Sequence, residues 1–90
     1  MKILRFNESH NITGEQIKRR RKEKGLTQEQ VVAQMQVAGI QIDQKAISRI
    51  ESGDRVITDY ELMKMADILG VSVDQLIRDS MYDIMKDEEL

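Results

Sequence analysis

Ninety residues with 40% apolar content, no cysteine and no proline describe one small domain with a single core. A folded unit this short buries only about 60 to 65% of its unfolded surface, which leaves little room for an enclosed substrate pocket. The net charge of −2 hides a polarity: residues 1–26 hold eight Lys/Arg against three Asp/Glu, 27–55 three against four, and 56–90 three against nine, so one pole is available to an anionic polymer.

Residues 1–11 form an arm. Its opening Met-Lys-Ile-Leu-Arg-Phe is too short and too charged for the apolar core of a secretion signal, and no run of about 18 apolar residues occurs. A cytoplasmic protein with no membrane attachment is the expectation. Thr13 with Gln16 then fits a capping box, in which a hydroxyl accepts from an early helical N–H and the later side chain reaches back. Thr27 with Gln30, Thr58 with Glu61 and Ser72 with Gln75 repeat the pattern, and Asp43 caps without a reciprocal partner. Gly25, Gly39, Gly53 and Gly70 follow as left-handed C-caps.

This punctuation predicts helices over 14–24, 28–38, 44–52, 59–69 and 73–79. Val31, Met35 and Ala38 line one side of the second, and Leu62, Met65, Ala66 and Leu69 one side of the fourth. Ala46, Ile47 and Ile50 do the same for the third, and Val73, Leu76 and Ile77 for the fifth. The only alternating stretches, Ile40 to Ile42 and Val56 to Ile57, are too short for strands. The fold class is all-α, a compact five-helix domain. Beyond residue 77 the stripe continues through Met81, Ile84 and Met85 into Asp87, Glu88 and Glu89. Residues 80–90 are thus an acidic C-terminal tail or an extension of the fifth helix that packs on the core or frays, or else an exposed dimer seam.

Catalysis has no foothold. His10 follows Ser9, but sequence adjacency does not aim a base at a nucleophile, and no third group is indicated. The C-terminal carboxylates lack calcium-loop spacing, one histidine and no cysteine exclude most zinc sites, and no glycine-rich phosphate loop occurs. No enzyme, metal or cofactor is expected. The three aromatics, Phe6, Tyr60 and Tyr82, are too few for stacking on single-stranded bases.

The helix beginning at Gln44 carries the informative chemistry. Ala46, Ile47 and Ile50 tie one side to the core, leaving a polar side that fits the major groove. Gln44 can donate and accept at the N6/N7 edge of adenine, Lys45 can donate to guanine O6/N7, and Arg49, one turn on, can reach a base or a phosphate. Ser48 is a weaker base contact.

The block "LTQEQVVAQMQVAGIQIDQKAISRIE" resembles the helix-turn-helix of the phage-repressor and Cro (XRE) type, with "GEQIKRRRKEKGLTQEQ" similar to that family's first helix and "TDYELMKMADILGVSVDQLI" to its fourth and fifth. The likeness spans residues 12–79 and implies a lambda-repressor-like DNA-binding domain. It implies base contacts at Gln44, Lys45 and Arg49, and a phosphate contact at Gln28, beside Thr27, where the helix N-terminus already favours an anion. It implies a salt bridge between Arg21 and Glu51, and a phosphate contact at Arg55. Asp54 departs from the family, which often has a basic residue there. So does the stretch Gln36 to Ile42, which carries about five extra residues relative to the shortest family pattern. Of the basic run Lys18, Arg19, Arg20, Arg21, Lys22 and Lys24, only part can face DNA, because successive residues turn by about 100°.

The expected function is sequence-specific binding of double-stranded DNA by a small transcriptional regulator, a repressor acting as a homodimer on an inverted repeat. The alternative is a helical interaction module, such as an antitoxin or adaptor, whose acidic C-terminal half binds a protein partner. With no effector domain expected, regulation would come from concentration, partner binding or proteolysis.

Overall fold

The computed structural model describes Phe6 and residues 8–88. The secretion-signal reading and the last acidic residue, Glu89, lie outside the described residues. Five helices follow in order: α1 (Gly14–Glu23), α2 (Gln28–Val37), α3 (Gln44–Ser52), α4 (Asp59–Leu69) and α5 (Val73–Glu88). Among the described residues no strand forms; one isolated bridge pairs Phe6 with Ser9.

The caps at α2 and α4 are complete. Thr27 accepts from the Gln30 N–H while the Gln30 side chain accepts from the Thr27 N–H, and Thr58 and Glu61 repeat the exchange. Asp43 accepts from the Ala46 N–H at 2.8 Å. Two expected boxes are corrected. Thr13 is already helical in conformation and its hydroxyl makes no cap bond. Asn11 replaces it: its Oδ1 accepts from the Gly14 N–H at 2.7 Å, and its Nδ2 donates to the Ile50 and Arg55 carbonyls of the α3 end and the loop beyond. Ser72 accepts from the Gln75 N–H, but the Gln75 amide turns to Asp79 instead of reaching back.

Ile17, Val31, Met35, Ile47, Ile50, Met65 and Leu76 are fully or almost fully buried and form the centre of the core. α1 packs on α3, α4 and α5, α2 on α3 and α4, and α4 on α5. Ala38, expected on the buried stripe, is exposed, because α2 ends at Val37; Ile42 from the α2–α3 connection enters the core in its place. Gly14 is a point of close approach, since a Cβ there would collide with the Ile50 carbonyl oxygen.

α5 runs to Glu88, so the stripe beyond residue 79 continues the fifth helix. No glycine or proline interrupts it, and its inner side is tied to α1. Asp83 accepts from the Gln16 amide at 2.6 Å and from Arg19 at 3.5 Å, and Asp79 pairs with Arg20. Among the described residues no helix is long and apolar enough to cross a membrane.

Candidate nucleic-acid interface

α3 is held by its apolar side. Ile47 and Ile50 are fully buried, which leaves Gln44, Lys45, Ser48 and Arg49 exposed on the other side. Nine residues make a rod about 13 Å long, narrow enough for the major groove. Lys45 and Arg49 stand one turn apart, and neither has an ion-pair partner among the described residues. The Arg49 guanidinium makes only a long 3.4 Å contact with the Asp54 carbonyl. Gly53, with φ +85°, ends the helix, and the left-handed turn it supplies sends the chain into the loop carrying Asp54 and Arg55.

Behind this surface lies a buried ion pair. Arg21 donates to Glu51 through Nε at 2.6 Å and Nη2 at 3.0 Å, with side-chain exposures of only 9% and 3%. Its remaining Nη1 donates to the Leu26 carbonyl at 2.8 Å, which fixes the turn into α2. Gln28 continues the chain of contacts outward. Its Nε2 donates to Glu51 at 3.0 Å, and its Oε1 accepts from the Gln44 amide at 3.4 Å. The core of the domain is thereby connected, side chain by side chain, to the first outward residue of α3. One hydrogen of the Gln28 amide and the hydroxyl hydrogen of exposed Thr27 remain to donate to an anion at the start of α2.

Arg55, the phosphate candidate of the loop after α3, is also bound within the domain. Both terminal nitrogens bind Glu61, at 3.0 and 3.1 Å, and Nη1 also donates to the Val56 carbonyl. This hydrogen bonding raises the Arg55 pKa. Burial pushes the Glu61 carboxyl up, but the bonds from Arg55 and from the Thr58 N–H outweigh it and hold Glu61 below the usual carboxylate range. No local sequence signal reveals this pair, which joins a loop to the first turn of α4. The Asp54 carboxylate accepts from the Ser52 hydroxyl at 3.0 Å.

The basic run of α1 divides. Arg19 and Arg20 are bound to α5, Arg21 to Glu51, and Lys24 to the Ile68 carbonyl at the end of α4. Lys18 and Lys22 are exposed, and they border the same surface groove as Ser52 at the end of α3. The opposite charges of residues 1–26 and 56–90 are the sequence signal for the α1–α5 contacts.

The lengthened α2–α3 connection is anchored at both ends. The Ile40 N–H donates to the Met35 carbonyl at 3.0 Å, Ile42 is buried, and the Gln36 amide reaches the Ile42 carbonyl at 3.4 Å. The extra residues therefore leave Gln28 and Gln44 in contact.

The helix-turn-helix family model matches residues 17–76, from the middle of α1 into α5. The chain belongs to the phage-repressor and Cro (XRE) type of helix-turn-helix family. That family is one of DNA-binding regulators, and the match covers the turn, α3 and the loop carrying Arg55. No curated protein and no solved structure matches the chain significantly.

Proposed function

We propose that this helix-turn-helix protein is a small cytoplasmic transcriptional repressor that reads double-stranded DNA sequence-specifically in the major groove. Residues 12–79 are its DNA-binding unit, with 1–11 as an arm and 80–90 as an extension. The observation that carries the reading is the outer side of α3, where Gln44, Lys45, Ser48 and Arg49 are exposed together on a helix locked from behind. These four contact bases. Thr27 and Gln28 grip a phosphate on one flank, and Arg55 lies on the other as a phosphate contact already oriented by Glu61. The buried Arg21–Glu51 pair is architectural.

A single α3 reaches few base pairs, so the protein acts as a homodimer on an inverted repeat with half-sites about 34 Å apart. Repression follows from occupancy of the operator. The interaction-module reading draws less support, because Asp79 and Asp83 of the acidic half are already engaged by Arg19, Arg20 and Gln16.

Selection of bound duplexes from a random pool at about 150 mM salt, where nonspecific attachment is weakened, tests the proposal. A palindromic consensus is the expected result. A folded sample that enriches nothing overturns it and makes a protein partner the next object of search.

A further inference from the structure

We infer that Asp43 is a further specificity-determining residue, whose carboxylate accepts a hydrogen bond from the exocyclic amine of one cytosine in the major groove and rejects bases that present an acceptor there. The inference rests on the reading of α3 as the base-reading helix and deepens it by naming one base.

A recognition helix brings its N-terminal residues to the base edges, and Asp43 stands immediately before Gln44, the first residue of α3. It is exposed. Its Oδ1 accepts from the Ala46 N–H at 2.8 Å, which folds the carboxylate over the open end of the helix. Its Oδ2 has no hydrogen bond or ion pair among the described residues. Beside it a groove of about 690 Å³ opens between the α2–α3 connection and Arg55, so the domain leaves this side of the carboxylate uncovered. The Arg55 guanidinium borders the same groove but is turned to Glu61 and the Val56 carbonyl.

Capping alone does not call for a charge. Thr27, Thr58 and Ser72 cap their helices with hydroxyls and Asn11 caps α1 with an amide, and such neutral groups serve as well as a carboxylate. At the end of a helix that enters DNA, a carboxylate is repelled by the phosphates and lowers affinity for every sequence unless a base answers it. Gln44, Lys45, Ser48 and Arg49 all carry donors, whereas an ionised Asp43 can only accept. The other carboxylates near α3 are engaged: Glu51 by Arg21 and Gln28, and Asp54 by the Ser52 hydroxyl. In the major groove guanine offers N7 and O6 and thymine O4, all acceptors, while adenine sets N7 beside its amine. Cytosine alone offers a donor, N4, with no acceptor next to it on the same base, so it is the base a free carboxylate selects.

Selection from a random duplex pool at about 150 mM salt, run in parallel with the full-length wild type and with Asp43→Asn, tests this. Asparagine keeps the cap and removes the charge, Asp43→Ser provides a second neutral cap, and urea unfolding confirms that both variants fold. Wild type should require cytosine at one position of the half-site, and both variants should relax that position by about five- to tenfold. They should do so by binding the other bases there more tightly than wild type does, a gain that structural damage cannot produce. N4-methylation of that cytosine, which replaces the hydrogen facing the groove, should weaken wild type by a similar factor and Asp43→Asn by less. Variants that select the wild-type consensus unchanged, that weaken all sequences equally, or that relax a position holding another base overturn the inference and leave the DNA reading standing. A methyl group that weakens wild type and variant equally overturns it as well. A folded wild type that enriches nothing overturns both.

Discussion

Gln44, the first residue of α3, donates its side-chain amide to Gln28, the first residue of α2, across 3.4 Å. The two amides hold each other at the point where the proposed base reader and the proposed phosphate contact meet. Gln44→Ala should cost about 1–3 kcal/mol at one base pair and relax discrimination there. Gln28→Ala should weaken all sequences by similar factors, since a phosphate carries no sequence information. Because the side chains touch, the double variant should deviate from additivity by about 0.5 kcal/mol or more. Binding titrations on a panel of single-base operator variants separate these outcomes, and identical specificity profiles for the two single variants would refute the division of roles.

The Arg21–Glu51 pair is buried on both sides. Removing one partner strands the other charge, so Arg21→Ala or Glu51→Ala should each lower stability by about 3–5 kcal/mol. Replacing both with apolar residues of similar volume, Arg21→Met with Glu51→Leu, should cost less than either single change, reduced mainly by the bonds to Leu26 and Gln28 that are lost with the pair. Urea unfolding of the three variants checks the order.

Glu61 titrates below its ordinary value of 4.5 in the folded state, so its contribution is complete above about pH 4.5 and is lost as pH falls through the lower folded value. Glu61→Gln retains the geometry of the capping box but not the charge. Wild type should exceed this variant by about 1–3 kcal/mol near neutral pH, and the gap should shrink as pH is lowered from neutral to below about 4.5. Denaturant unfolding across that range measures it, and a gap independent of pH would contradict the ionic role of Arg55.

Replacing glycine by alanine in a helix ordinarily stabilises by up to about 1 kcal/mol. At Gly14 the sign should reverse, with a loss of about 1–3 kcal/mol, because the added methyl meets the Ile50 carbonyl and forces α1 away from α3. Thermal unfolding of Gly14→Ala distinguishes the two signs.

Within the basic run, Lys18 and Lys22 are exposed beside the end of α3 and make no ion pair among the described residues, whereas exposed Arg19 in the same groove is paired with Asp83. Substituting both by Gln should flatten the dependence of log affinity on log salt by up to about 0.9 per lysine, whereas Arg20→Gln should alter it little, since that guanidinium is bound to Asp79. Titrations at several salt concentrations provide the slopes.

The helices were legible in the sequence because their signals are local. Hydroxyl caps at Thr27 and Thr58, the carboxylate at Asp43 and the positive-φ glycines each act within a few residues, and the spacing of Ile47 and Ile50 shows which side of α3 is buried. The family, and with it the polar side of α3, followed from the same residues. What only the tertiary structure decided are the partners of long charged side chains. Arg55 is bound to Glu61, Asp79 and Asp83 pair with Arg20 and Arg19, and the Asn11 side chain, not the Thr13 hydroxyl, caps the start of α1. A flexible side chain can reach any of several groups brought near it by the fold, so its choice depends on distances between helices, which no spacing along the chain encodes.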